Sequence, residues 1–99
     1  MQMISERTIS LLQKQVGIDD RSLHILQCIL VAKSNKELSG MLQISDNYCR
    51  LLVRKLLFKL SRWANDSFKA QYKKPTLNSL RTYSQKQNYV RAFLMSLEQ

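Results

Sequence analysis

The chain has 99 residues, a net charge of +9 and a pI of about 10.0, which fits a single basic domain with one core. Its two cysteines and one histidine are too few for a disulfide framework or a structural zinc site. Only two glycines and one proline interrupt long segments of 3.6-residue periodicity, and the sequence therefore predicts an all-α fold.

A first helix is predicted over residues 1–16. Gly17 marks its end, since glycine adopts the left-handed conformation that closes many helices. We expect this helix to close one side of the core, and a dimer contact is the alternative. Its apolar positions form one stripe of Ile9, Leu12 and Val16, with Ile4 and Leu11 beside it.

A second helix is predicted over residues 21–33, capped by Asp19 or Asp20. It is apolar nearly all round and is therefore expected to be central and buried. His24 has no partner at a spacing suited to catalysis, so we expect a partly buried structural histidine. Cys28 and Cys49 lie in apolar stripes and are expected to be buried free thiols.

Residues 34–63 have the pattern of a short helix, a tight turn and a long helix. Ser34 is placed to cap a helix over residues 35–42, with Glu37 at capping-box spacing. A turn follows at 43–45, where Ser45 would cap a helix that runs to about residue 63 or slightly beyond. Gly40 costs about 1 kcal/mol inside the short helix, and close approach of the long helix is the expected reason.

The long helix has one apolar face and one basic face. The apolar stripe consists of Cys49, Leu52, Val53, Leu56, Leu57 and Leu60. The opposite side carries Asn47, Arg50, Leu51 and Arg54, continued by Lys55, Lys59 and Arg62. Between residues 34 and 74 there are nine basic and three acidic residues, so positive charge collects around this helix. Such a surface is typical of nucleic-acid binding. The alternatives are a surface that is only solvated and a surface that is attracted to anionic lipid, since both would carry the same charge.

The same stretch resembles the helix-turn-helix of LuxR/GerE-type bacterial regulators. Their pattern reads roughly S-N-K-E-I-A, then L-x-I-S-x-x-T-V-K-x-H, and finally I-x-x-K-L. The chain matches it without a gap at Ser34, Asn35, Lys36, Glu37, Leu38, Ser39, Leu42, Ile44, Ser45, Arg50, Leu56, Lys59 and Leu60. It departs from the pattern at Tyr48, Cys49 and Leu52, where the family usually has Thr, Val and His. Sigma-factor region-four domains share much of this pattern and remain an alternative.

The resemblance implies a small helical bundle, with a tetrahelical LuxR-type helix-turn-helix and one or more additional C-terminal helices. It also implies insertion of helix 45–63 into the major groove. The expected DNA contacts are Lys36, Ser45, Asn47, Tyr48, Arg50, Leu51, Arg54, Lys55 and Lys59.

Each contact has an expected role and a simpler alternative. Arg50 and Arg54 would read guanine or clamp a phosphate, and Asn47 would read adenine. Leu51 would contact a thymine methyl group or is merely an exposed leucine. Phosphate is the expected contact for Lys36, Tyr48, Lys55, Lys59 and Arg62. Their alternatives are turn packing for Tyr48, an ordinary exposed lysine for Lys36 and a helix-end cap for Lys59.

The C-terminal part is predicted to form a helical extension over about 76–97. Before it, Phe68 and Tyr72 have helical spacing. The lysines of the same segment, Lys69, Lys73 and Lys74, form a second basic patch. Residues 73–76 are predicted to form the loop that precedes the extension. Leu77, Leu80 and Tyr83 are spaced as one short helix. Ser84 and Gln87 repeat the capping-box spacing, and Tyr89, Phe93 and Leu97 form the stripe of a final helix. This helix would cover the core or form a dimer surface.

The sequence therefore favours a sequence-specific double-stranded DNA-binding protein, a bacterial transcriptional regulator that acts as a homodimer. The alternative is a helical adaptor that binds RNA polymerase or a signalling protein without reading bases. No catalytic, metal or cofactor motif occurs, so we do not expect an enzyme. No signal-peptide core or apolar run of ~18 residues is present, so we expect a cytoplasmic, nucleoid-associated protein with no membrane partner.

Overall fold

Helices account for the regular structure of the part of the chain that is described, and no strand occurs there. The computed structural model describes residues 4–67 and 80–98, with side chains except those of residues 65–67. The helices are α1 (Glu6–Leu11) with a π-helical continuation (Leu12–Val16), α2 (Asp20–Val31), α3 (Asn35–Leu42), α4 (Asp46–Ser67) and α5 (Tyr83–Leu97). The expected all-α fold is confirmed. The predictions for Phe68, Lys69, Tyr72, Lys73, Lys74, Leu77 and the loop at 73–76 lie outside the described residues.

The first helix begins later than predicted, because Ser5 caps it. The Ser5 hydroxyl accepts from the amide of Thr8 at 3.2 Å, and residues 4 and 5 are not helical. At the other end the turn widens to π-helix, and the amide of Gly17 donates to the carbonyl of Leu12. Gly17 has a φ of 81°, which confirms its expected role as the left-handed residue that ends the helix.

The buried stripe of this first segment differs slightly from the predicted one. Buried residues recur at every fourth position, namely Ile4, Thr8, Leu12 and Val16, while Ile9 and Leu11 are only partly buried. Because an α-helix has about 3.6 residues per turn, residues spaced four apart drift around the helix and leave its buried face. The π-helical turn is wider, so it partly offsets this drift. Thr8 is a buried polar residue, and its hydroxyl donates to the Glu98 carboxylate at 3.3 Å. The first helix therefore contacts the end of α5.

Helix α2 is capped as predicted, and its carboxyl end is closed by side chains of α5. The Asp19 carboxylate accepts from the amide of Ser22 at 2.7 Å, a bond that lowers its pKa. The helix ends at Val31, two residues earlier than expected. Its last carbonyls have no intrahelical donors, and three of them are met by the Gln87 amide or the Tyr83 hydroxyl. Burial raises the pKa of Tyr83 to about 12, because the charged phenolate is disfavoured away from water.

Helix α5 covers the core, as one of the two predicted roles requires. Tyr89, Val90, Phe93, Leu94 and Leu97 are buried, and the Phe93 ring meets Trp63 of α4 edge-on at 5.9 Å. The predicted cap by Ser84 and Gln87 is wrong. The helix begins at Tyr83 with a capping box of Thr82 and Gln85, because the Gln87 amide donates to the carbonyls that end α2. Leu80 is buried but not helical, so the short helix predicted to join it to Tyr83 does not form there.

Gly40 lies in α3 beside open space, so the expected close approach of α4 is wrong. A Cβ atom built at this position would meet nothing within 4 Å. We expect Gly40→Ala to raise the free energy of unfolding by about 0.5–1 kcal/mol, because alanine loses less backbone entropy in a helix.

Urea denaturation followed by circular dichroism measures this gain, and Gly17→Ala is the matched control. Gly17 has a left-handed backbone that disfavours a side chain, so its substitution should lower stability by about 1 kcal/mol. A Gly40→Ala protein that is no more stable than wild type would show that α3 needs a glycine for another reason.

Candidate nucleic-acid interface

Helices α3 and α4 form a helix-turn-helix whose boundaries follow from local caps. Ser34 accepts from the amide of Glu37 at 3.0 Å, and Ser45 accepts from the amide of Tyr48 at 3.2 Å. Between the helices, Gln43 adopts the left-handed conformation with a φ of 57°. The predicted turn at 43–45 and both serine caps are confirmed. The Glu37 carboxylate accepts from the amide of Lys33 at 3.4 Å. In a capping box it would accept from the amide of Ser34, one residue later.

A hydrogen bond between the two helices fixes the amino end of α4. The buried Ser39 hydroxyl donates to the Asp46 carboxylate at 2.5 Å, and the Asn35 amide donates to the Asp46 carbonyl at 3.4 Å. Ser45, rather than Asp46, caps the helix, so the aspartate serves to hold α4 against α3. This bond sets the direction in which the first turns of α4 project.

One side of α4 belongs to the core. Leu52 of the predicted stripe is only partly buried, because it borders an open surface cavity beside the turn. The other five residues of that stripe are buried as predicted, namely Cys49, Val53, Leu56, Leu57 and Leu60. Burial raises the pKa of the Cys49 thiol, which is consistent with an unreactive core residue.

The opposite side of α4 is exposed over its whole described length. All nine expected DNA contacts are exposed, namely Lys36, Ser45, Asn47, Tyr48, Arg50, Leu51, Arg54, Lys55 and Lys59. The exposed fraction is 46% for Leu51 and 41% for Tyr48, so even the apolar members reach solvent. None of these side chains is packed beneath another part of the described chain, and a duplex could approach this face directly.

Some of these residues already have partners within the chain. The Tyr48 hydroxyl accepts from the Arg21 guanidinium at 3.4 Å, and Arg50 donates weakly to the Asn47 amide oxygen at 3.5 Å. Long, exposed bonds of this kind exchange readily for contacts with a ligand. They place Arg21 of α2 beside the amino end of α4, a neighbour that no pattern in the sequence indicated.

Lys59 differs from the other basic residues of α4. Its ammonium group donates to the carbonyl of Gly17 at 2.7 Å, across the end of the first helical segment, and it also helps to lower the pKa of Asp19. Lys59 therefore caps a helix end, which is the alternative role for this lysine, although the helix that it caps is the first one and not α4. Its contact with DNA stays a prediction.

We expect Lys59→Met to lower the free energy of unfolding by about 1 kcal/mol, because an exposed carbonyl at a helix end loses its charged donor. The matched control is Lys55→Met, at an exposed lysine of the same helix, which should change stability by no more than about 0.5 kcal/mol. Urea midpoints measure both. Equal midpoints for the two variants would mean that the contact with Gly17 contributes nothing.

Phe58 is a further exposed residue of the same face, and it is not among the expected DNA contacts. Phe58 is 57% exposed, and it follows Leu51 and Arg54 at helical spacing, with Arg62 four residues further on. The 3.6-residue period places Phe58 on this face, because it lies seven residues after Leu51 and four after Arg54. The described face of α4 therefore alternates apolar and cationic side chains.

The remaining candidate groups do not form a second site. His24 is exposed, which corrects the expected partial burial, and it borders a cavity of about 320 Å³ beside the helix-turn-helix turn. Its imidazole lies 3.7 Å from the Cys28 thiol. Within residues 4–67 and 80–98, no three His, Cys, Asp or Glu side chains are grouped to hold a metal ion. None of the helices described there combines the length and apolar character needed to cross a bilayer.

Neither protein-family models nor curated proteins nor solved structures match the chain, so its function is inferred from the surface of α4 itself.

Proposed function

We propose that the chain is a sequence-specific double-stranded DNA-binding protein, and that it acts as a transcriptional regulator in the bacterial cytoplasm. A single observation carries this proposal. The first turns of α4 expose polar and basic side chains, while the other side of the same helix is buried in the core. A helix held in this way can enter a major groove without losing the contacts that keep it folded.

The charge of α4 suits a polyanion. Between Asn47 and Asn65 the sequence has five basic residues and no acidic one. The phosphates that line a major groove attract such a surface over distances of about 10 Å at moderate salt. Lys36 lies exposed in the first turn of α3, where an incoming phosphate would also meet free backbone amides.

Base recognition would come from the amino half of the exposed face. Asn47 can pair with adenine through two hydrogen bonds, and Arg50 or Arg54 can do so with guanine. Leu51, which lies between them, suits the methyl group of thymine. Lys55 would contact phosphate, and Ser45 and Tyr48 would contact the backbone at the groove edge. The resemblance of this stretch to LuxR/GerE-type regulators supports the same docking geometry.

We further propose that two copies bind together, since small regulators of this kind commonly read two half-sites about one helical turn apart. The wild-type protein with random duplex fragments, in gel shifts over a salt series, tests the proposal. Affinity should fall linearly in log salt with a slope of about 0.9 for each phosphate contacted, and selection should enrich a common sequence. Failure to shift any fragment at low salt would exclude DNA binding and favour the adaptor function.

A further inference from the structure

The aromatic ring of Phe58 lies exposed in the middle of α4, surrounded by positive charge. It is 57% exposed, while Leu56, Leu57 and Leu60 on the other side of the helix are buried. Arg54, Lys55 and Arg62 are placed at i−4, i−3 and i+4, so their side chains border the ring on the helix surface. We call Arg54, Lys55, Phe58 and Arg62 the Phe58 surface.

The proposed reading of bases does not account for this ring. Phe58 comes thirteen residues after the cap at Ser45, or about 20 Å along the helix axis. The major groove is only about 12 Å wide and 8.5 Å deep, and helix-turn-helix proteins read it with the amino-terminal turns. At its edge the ring would meet phosphates, which offer no apolar partner. An exposed aromatic side chain in such a place is more typical of a protein contact.

The charges around the ring select the kind of partner. A second copy of the chain would bring the same cations against Arg54, Lys55 and Arg62, and like charges in contact are strongly unfavourable. An acidic partner would instead place carboxylates near these cations while its apolar side chains cover Phe58. The spacing of Leu51 and Phe58, seven residues apart on one side of α4, matches the repeat of apolar residues on an amphipathic helix.

We propose that the Phe58 surface binds an acidic amphipathic helix of another protein, with apolar residues on one side and carboxylates beside them. The Phe58 ring serves as the central apolar contact, and Arg54, Lys55 and Arg62 pair with the carboxylates. The ring and Arg62 lie beyond the turns of α4 that would enter DNA, whereas Arg54 and Lys55 belong to both surfaces. The proposal stands whether or not the chain binds DNA.

Two synthetic peptides of identical composition test the proposal on the full-length protein. In one, leucines form a single helical stripe among glutamates, and in the other the same residues are scrambled so that no stripe exists. Fluorescence anisotropy should show the striped peptide binding at least about tenfold more tightly than the scrambled one. Phe58→Ser should remove about tenfold of that affinity, while Phe58→Trp should retain it, because a ring is what the peptide covers.

The matched control is Met95→Ser, which removes another exposed apolar side chain, 64% exposed, from α5. It should leave peptide binding unchanged. The fold is intact if Phe58→Ser, Phe58→Trp and Met95→Ser each have a urea midpoint close to that of wild type. Phe58→Ser should also retain the DNA affinity of wild type, because Phe58 is not among the proposed DNA contacts.

Four results would overturn the proposal. The two peptides could bind equally, which would mean that charge alone attracts them. Phe58→Ser could leave peptide binding intact or weaken DNA binding as strongly as peptide binding. Sedimentation could show a wild-type dimer that this substitution dissociates, so that a second copy covers the ring. Vesicles containing phosphatidylglycerol could bind in a Phe58-dependent way while neither peptide does.

Discussion

Replacing Gln87 with leucine is expected to lower the free energy of unfolding by about 2–3 kcal/mol, the cost of leaving buried polar groups unpaired. The Gln87 amide donates to the carbonyl of Ile29 at 2.9 Å and to that of Ala32 at 2.8 Å, with Leu30 at 3.4 Å. The Ile29 carbonyl keeps the Tyr83 hydroxyl as a donor, so the loss falls mainly on the carbonyl of Ala32. Ala32 is fully buried, and water therefore cannot readily replace the lost donor. Leucine has a similar size but nothing to donate.

Urea denaturation measures this loss as a lower midpoint with an unchanged slope. Asn88→Leu is the matched control, because Asn88 is the exposed neighbour of Gln87 and should tolerate the change within about 0.5 kcal/mol. Tyr83 continues to donate to Ile29 in the variant, so the fold should persist with reduced stability. A Gln87→Leu midpoint equal to that of wild type would show that α2 does not depend on α5 for its carboxyl end.

Replacing Arg54 with alanine is expected to weaken binding to the preferred duplex by about 5- to 150-fold, equivalent to about 1–3 kcal/mol. The guanidinium is exposed on the proposed reading face, one turn beyond Arg50, and a bidentate contact with guanine would be lost. Preference at one base pair should relax, while affinity for unrelated sequences falls far less. Competition gel shifts with a set of single-base variants of the selected site measure both effects.

Lys55→Ala is the control for a phosphate contact. It should weaken all duplexes alike and reduce the salt slope by about 1. Neither substitution removes a buried group, so urea midpoints should stay near that of wild type. If Arg54→Ala binds every duplex as well as wild type does, and Arg50→Ala does so too, α4 is not the reading helix.

Local sequence signals placed most of the helix-turn-helix correctly. Ser34, Ser45 and Gly17 were assigned roles at helix ends, and each has that role in the structure. Such signals are reliable because a cap involves atoms only a few residues apart, so the pattern contains all the partners. The buried side of α4 was predicted for a similar reason, since helical periodicity separates its two faces.

The errors arose where a distant partner decides the outcome. Both Thr82 with Gln85 and Ser84 with Gln87 have the capping-box spacing, and the sequence around them does not favour either pair. The choice is made by α2, whose carbonyls engage Gln87, 58 residues away from Ile29. Likewise, Lys59 donates to Gly17 across 42 residues, which no local pattern could reveal.

The hydrogen bonds between helices also differ in the length of the chain segment that separates their two partners. Ser39 and Asp46 are seven residues apart, whereas Tyr83 and Ile29 are 54 apart. Each doubling of a loop costs about 0.6 kcal/mol in entropy, so the longer closure is harder by about 2 kcal/mol. During refolding, α3 and α4 should pair early and α5 should dock last. Pulsed hydrogen exchange would then protect amides of α4 before those of α5, so that the protein assembles from its middle outward.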